Sequence, residues 1–251
     1  MTDDPPPPIH PRSAMLLAAG LATRMRPLTD ATAKPLLHLG GRALIDHALE
    51  RLRAVGVERV VVNAHWQAPR VAAHLAARAA IAPRLILREE DALLDTGGGT
   101  RAALDDLGAA PFFVLNGDAF WLDGPSPTLA RLIRAFDPAR HDAMLLLART
   151  AQVHGEVGRG DFMLDPWGTP RRRLAHEIAP FLYAGVQLAS PALFADMPAG
   201  PFSTNLAWDR ALAAGRLGAI VHDGLWFHLS TPADLAEAEM LLAARATGET
   251  R

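Results

Sequence analysis

Leu16-Leu17-Ala18-Ala19-Gly20-Leu21-Ala22-Thr23-Arg24-Met25-Arg26-Pro27-Leu28-Thr29 is the stretch on which the fold and the function turn. It starts at the end of an apolar run, Ser13 to Ala18, of the kind a buried strand shows. Small residues follow, which let a backbone approach a polyphosphate closely while successive N–H groups point at its oxygens. Arg24 and Arg26 add charge-assisted donors. The pattern is neither the P-loop nor the dinucleotide fingerprint. Taken alone, it reads equally well as a strand-to-loop turn with surface arginines.

Working outward, the chain alternates strand-like and helix-like segments. Ala43 to Ala54 has helical spacing, with Leu44, Ile45, Ala48, Leu49 and Leu52 on one side and Gly56 as a stop. Strands are expected at 59–63, 85–88, 112–115 and 143–148, with helices at 69–77, 100–107 and 127–136 between them. This order argues for an α/β fold in three layers, a mostly parallel sheet with helices on both faces. Such sheets place ligands outside the carboxyl ends of their strands. The loop after Ala18, the polar residues after Val62 and the turn after Leu115 all fall at such ends. The second half is less regular. Short strands or turns are expected at 155–164 and 171–174, strands at 181–188, 216–221 and 225–229, and helices at 204–214 and 232–244. Thr231-Pro232 is a good helix start. No repeat or linker divides residues 13–251, which are expected to form a single domain after an extended or disordered proline-rich tail over 1–12.

Bulk properties narrow the partners. The formal net charge of −2 gives no general attraction to nucleic acid. The N-terminus lacks the pattern of a secretory signal, and no uninterrupted apolar segment is long enough for a bilayer. With no cysteine, disulfides and thiolate metal sites are excluded, which fits a cytoplasmic location. No sequence feature sets an oligomeric state.

Two further sites carry chemistry. Lys34, in Lys34-Pro35-Leu36, is the only lysine of the chain and stands beside the phosphate-loop candidate, where it can act as a point charge. Asn116-Gly117-Asp118 sits at a strand's carboxyl end, where an aspartate can bind Mg²⁺. As a bare tripeptide it is also a common turn.

The composite from Leu16 to Lys34-Pro35-Leu36 resembles the N-terminal signature of the sugar-nucleotide pyrophosphorylases, the sugar-1-phosphate nucleotidyltransferases. The likeness extends over nearly the whole chain after the tail. Val62-Asn63-Ala64-His65-Trp66, Asp95-Thr96-Gly97-Gly98-Gly99 and Gly158-Arg159-Gly160-Asp161-Phe162 draw it towards the muramate uridylyltransferases of cell-wall recycling. The resemblance implies a Rossmann-like domain that joins a nucleoside triphosphate, UTP in that branch, to a sugar 1-phosphate, there N-acetylmuramate 1-phosphate. It implies that Ala18, Ala19, Gly20, Leu21, Ala22 and Thr23 hold phosphates and that Arg24, Lys34 and Asp118 are catalytic. Asn63, Asp95, Gly97 and Gly98 then belong to the nucleotide site, the two glycines lying near the base. Arg159 and Asp161 are expected at the sugar phosphate, and Mg²⁺ or Mn²⁺ at Asp118.

Three departures qualify this. Ala22 replaces a second loop glycine, which is acceptable if its φ is negative. His228, in Trp226-Phe227-His228-Leu229-Ser230-Thr231, stands where the family has its second metal-binding aspartate. It can take a softer ion such as Mn²⁺, contact phosphate when protonated, or stand behind an Mg²⁺ held by Asp118, water and phosphates; the last is favoured. The family's sugar-phosphate lysine is missing, so Arg159 or an arginine of 171–173 substitutes, although that run is expected to be mainly a solvated turn. His154, His176 and Glu177 are further sugar-site candidates, with surface roles favoured. A mannose- or glucose-1-phosphate nucleotidyltransferase, or a nucleotide-sugar-binding protein without turnover, are the alternatives.

Overall fold

The computed structural model describes residues 9–78, 83–155 and 157–247. Of the expected tail, residues 1–8 lie outside that range. Order begins before Ser13: Ile9 packs on the core, Pro11 is buried, and the Arg12 carbonyl accepts the N–H groups of Glu58 (2.9 Å) and Arg59 (3.1 Å).

One nine-stranded sheet organises the chain: β1 Ser13–Leu17, β2 Arg59–Ala64, β3 Arg84–Glu89, β4 Phe112–Asn116, β5 Ala143–Arg149, β6 Phe162–Leu164, β7 Pro170–Arg172, β8 Phe181–Ala189 and β9 Leu217–Val221. The main order is β3-β2-β1-β4-β8-β5-β9. All run parallel except β8, which is antiparallel to β4 and to β5. The β6–β7 hairpin pairs with the start of β8 at Phe181. The sheet is therefore mixed and mostly parallel.

Side-chain alternation builds the layers. Ala14, Leu16, Val60, Val62, Phe113 and Leu115 pack on one face with α1 Leu44–Ala54, α2 Ala68–Ala76 and, after the short helices of the other face, α5 Thr128–Ala135. Met15, Val61, Phe112, Val114, Leu145 and Leu147 point the other way. They meet α3 Asp95–Ala102, α4 Leu104–Leu107, α6 Ala192–Ala195 and α7 Thr204–Ala213. Each fully buried large apolar side chain contributes about 1.5–3 kcal/mol, so both faces hold the sheet. Among the described residues no helix is long and apolar enough to cross a membrane.

The third helix differs from expectation. It was expected to begin at Thr100, after the glycines, because glycine is a poor helix former. Instead it starts at Asp95 and includes Gly97, Gly98 and Gly99, all buried. Close packing overrides propensity here. A Cβ on Gly97 would lie 2.4 Å from the Phe202 ring, and one on Gly98 2.3 Å from the Gly200 carbonyl oxygen.

A small sheet of Phe120–Leu122, Leu225–Phe227 and Val153–His154 flanks the main one. Its Phe120 and Phe227 join Met25, Leu39, Leu229 and Leu235 in a separate core, with Leu235 on α8 Pro232–Thr247. That core ties the segment around His228 to the loop after β1.

Candidate nucleotide-binding cleft

The chain runs from β1 outward to β2 and β3, then returns to the other side of β1 to form β4. The carboxyl ends of β1 and β4 thus flank the point where strand order reverses, the place where open α/β sheets bind ligands. Gly117 donates its N–H to the Leu17 carbonyl at 2.8 Å, and a Cβ there would lie 2.9 Å from that oxygen. Only glycine permits this closure.

A cavity of about 560 Å³ opens at this point. Ala18, Ala19, Gly20, Ala22 and Arg24 line one wall, and Lys34, Asn63, Glu90, Asp95, Asn116 and Asp118 complete it. Leu21 and Thr23 are exposed and do not line it. Arg26 turns away to pair with Asp30 at 3.4 Å on the surface. The Lys34 ammonium donates to the Asp118 carboxylate, with side-chain exposures of 16% and 30%. A lysine and an aspartate are thereby fixed at one point, half out of water, where charge acts more strongly than in bulk solvent.

The loop is held from outside. Its turn Thr23–Met25 closes through the Met25 N–H to the Ala22 carbonyl (3.0 Å), and buried Met25 anchors it. The buried Thr29 hydroxyl donates to the same Ala22 carbonyl at 2.9 Å. Ala22 has φ +49°, not the negative value its side chain favours, because this closure forces a left-handed residue where the family has glycine. Strain of about 1–2 kcal/mol follows.

Asn63 braces the start of the loop. Its carboxamide oxygen accepts the Ala18 N–H (2.8 Å), and its amino group donates to Glu90 Oε1 (2.7 Å). Glu90 Oε2 accepts the Leu94 N–H at 3.1 Å. The His65 ring meets the Glu90 carbonyl at 2.7 Å, and Trp66 Nε1 donates to the Thr29 carbonyl at 3.0 Å. Glu90, Leu93, Thr96 and Asn116 are lining residues that sequence reasoning missed. Thr96 and Asn116 stood inside motifs quoted from the sequence without a role of their own, and Glu90 and Leu93 had no signal beyond following the strand expected at 85–88.

Gly97 and Gly98 do not line the cleft. Both N–H groups donate to the Phe202 carbonyl, each at 3.0 Å, so neither amide is free to read a base as expected. Asp95 and Thr96, just before them, do line it.

His228 comes into electrostatic reach of Arg24, Lys34, Asp118 and Asp234. Burial first, and then the Lys34 and Arg24 charges, hold its imidazole below the ordinary range, against the opposing pull of Asp234 and Asp118. Burial therefore favours the neutral ring over the protonated one in the absence of ligand. Asp234 caps α8 instead of facing the cleft empty-handed: it accepts the N–H groups of Ser230 (2.9 Å) and Thr231 (2.7 Å). Among the described residues no three His, Cys, Asp or Glu side chains gather to hold a metal. One carboxylate with phosphate and water oxygens suits Mg²⁺, so Asp118 fits that ion.

A second cavity of about 260 Å³ adjoins the first, sharing Leu17, Asp95, Thr96 and Asn116. Asp161 lies here, its carboxylate accepting the Tyr183 N–H at 2.9 Å. Arg159 does not; it is exposed and donates to the Ala175 carbonyl at 3.1 Å. Within the arginine run, Arg171 pairs with Glu177 on the surface at 2.8 Å, and Arg173 donates to the Gly160 carbonyl at 3.0 Å. Arg172 alone of the three lines the cavity, contrary to the solvated turn expected for the run. Strand alternation was the signal that separates it from its neighbours. The side chain of His154 lies outside what the structure describes.

Comparison with known proteins agrees with a cleft of this kind: residues 14–220 match the MobA-like NTP transferase domain, and the chain belongs to that family. Within it, the N-acetylmuramate alpha-1-phosphate uridylyltransferase of Caulobacter vibrioides is 44% identical, covering 93% of this chain and 98% of its own. The protein of the same name from Neisseria meningitidis serogroup B is 33% identical, over 92% and 98%. Among solved structures, UDP-glucose pyrophosphorylase complexed with UDP-glucose shares the fold, with a TM-score of 0.78 over 93% of this chain and 99% of that one at 14% identity.

Proposed function

We propose that the protein condenses UTP with N-acetylmuramate 1-phosphate, giving the UDP-sugar and pyrophosphate. The observation that carries the catalytic part is the Lys34–Asp118 pair at the reversal of strand order, beside Arg24 and the small-residue loop. The two near-full-length relatives of that name support the choice of substrates.

A phosphate oxygen of the sugar attacks the α-phosphorus of UTP. The bond from that phosphorus to the oxygen bridging to the β-phosphate breaks, and pyrophosphate leaves. Such transfer depends mainly on positioning and on charge stabilisation. The loop from Ala18 to Ala22 holds the β- and γ-phosphates, and Arg24 stabilises the departing pyrophosphate. Lys34 turns from Asp118 to the reacting phosphate. Asp118 would hold Mg²⁺, or Mn²⁺ in its place, and the ion would supply neutralisation of triphosphate charge. Neutral His228 packs behind this point. Asn63 and Asp95 keep the nucleotide end in shape, and the smaller cavity takes the sugar. A cytoplasmic location, where UTP is abundant, follows from this reading.

The test is pyrophosphate release by purified protein with a matrix of nucleoside triphosphates and sugar 1-phosphates under Mg²⁺ or Mn²⁺. Highest turnover is expected for UTP with N-acetylmuramate 1-phosphate. Higher kcat/KM for GTP with mannose 1-phosphate moves the protein to another substrate pair. Nucleotide-sugar binding with no turnover in either direction sinks the catalytic reading.

A further inference from the structure

The smaller cavity contains a cation that the phosphate chemistry does not use. Arg24 and Lys34 line the larger cavity, whereas Arg172 lines only the smaller. No other lysine or arginine lines the smaller one.

Arg172 is held on three sides. Nε donates to Asp209 at 2.8 Å and Nη2 to the Asn205 side chain at 2.8 Å. Its guanidinium carbon lies 4.7 Å from the Phe162 ring centroid and 5.5 Å from that of Trp208. Trp208 is itself fixed by its Nε1–H donation to Gln187 at 2.8 Å and by edge contact with Tyr183 at 4.6 Å. These contacts account for Nε, Nη2 and one side of the guanidinium, since the Phe162 and Trp208 centroids lie only 6.1 Å apart. Nη1 has no hydrogen-bond partner among the described residues. A planar donor fixed by stacking loses little freedom when it takes up a carboxylate. Tyr183 and Asp161 also line this cavity, and the Asp161 carboxylate can accept hydrogen bonds from hydroxyl or amide groups.

We propose that Arg172 is the receptor for a carboxylate carried by the sugar, so that the protein selects sugar 1-phosphates bearing an acid substituent. This rests on the transferase reading above. Its rival is that Arg172 holds the 1-phosphate itself, in place of the family lysine the chain lacks.

Both are separated by measuring kcat/KM with UTP for N-acetylmuramate 1-phosphate and for N-acetylglucosamine 1-phosphate, which lacks the lactyl carboxylate. The wild type, Arg172→Gln and Arg172→Lys are compared as ratios between the two sugars, which partial unfolding of a variant leaves unchanged. For the acid sugar, Arg172→Gln is expected to lose on the order of 10–100-fold, as fits a lost charged hydrogen bond. For the neutral sugar the change stays within about 3-fold, and Arg172→Lys recovers part of the selectivity. A ratio unchanged from the wild type overturns the proposal in either form, with equal losses for both sugars pointing to the phosphate role and no loss for either leaving Arg172 without a part in sugar binding. A wild type that turns over the neutral sugar but not the acid one refutes the selectivity. A wild type inert with every sugar phosphate refutes the transferase reading instead.

Discussion

The two cavities that meet at Leu17, Asp95, Thr96 and Asn116 are built by opposite means. The larger takes one wall from consecutive residues of a single loop, shaped by backbone hydrogen bonds to Ala22 and Ala18. The smaller takes single side chains from scattered elements: Asp161 before β6, Arg172 on β7, Tyr183 on β8 and Trp208 on α7. A triphosphate is the same in every nucleotide, so backbone and point charges suffice. A sugar is distinguished by its substituents, which must be met from several directions.

The sharpest test of this contrast removes the shared charges. Lys34→Ala and Asp118→Asn are each expected to lower kcat by roughly 10³-fold, whichever sugar is offered. Coupled pyrophosphate assays across several sugar phosphates check this, and a loss confined to one sugar breaks the contrast. The next effect falls on α3, the helix that carries the shared residues Asp95 and Thr96. Gly98→Ala drives a methyl group into the Gly200 carbonyl and is expected to cost about 1–3 kcal/mol in urea unfolding. An unchanged midpoint would remove the packing account of the glycines.

Smaller again is the acid response of the scaffold that carries both cavities. Burial holds the imidazoles of His47, His141 and His222 below their ordinary range. Their folded pKa values are depressed, so the unfolded chain binds more protons as pH falls below about 6.5. Stability is therefore full above that pH and lost as pH falls through the folded values. Thermal unfolding followed from pH 8 to pH 5 should show a falling Tm, and a Tm that rises on acidification contradicts the assignment. The smallest change sharpens the loop side alone. Ala22→Gly relieves about 1–2 kcal/mol of left-handed strain and adds about 0.4–1 kcal/mol of unfolded-chain entropy. A Tm equal to or slightly above the wild type is expected from calorimetry.

Legibility in the sequence follows the same division. Buried parallel strands announce themselves through apolar runs such as Val60 to Val62, and the loop through its small residues. Lys34 stood out because the chain has no other lysine. What stayed hidden depends on contacts far apart in sequence. The segment 181–188 was readable as a strand, but nothing local says that β8 inserts antiparallel between β4 and β5. Gly97 to Gly99 read as a turn because Phe202, which makes them helical and buried, lies about a hundred residues on. Arg172 was hidden between Arg171, which is exposed, and Arg173, which is half-buried on the Gly160 carbonyl.

The glycines of α3 also bear on redesign of this protein. The Phe202 ring and the Gly200 carbonyl close on Gly97 and Gly98, and the Asn63 and Glu90 side chains on Gly99, so a larger residue at any of the three displaces a neighbour. A library randomised across that conspicuous run, the obvious target for changing which base is accepted, would consist chiefly of destabilised variants. Leu93 and Thr96 precede it and line the cleft, Leu93 exposed and Thr96 accepting the Thr204 N–H through its hydroxyl at 3.0 Å, a bond that serine can keep. Directed evolution of nucleotide preference should start from those two positions and keep the triple glycine constant.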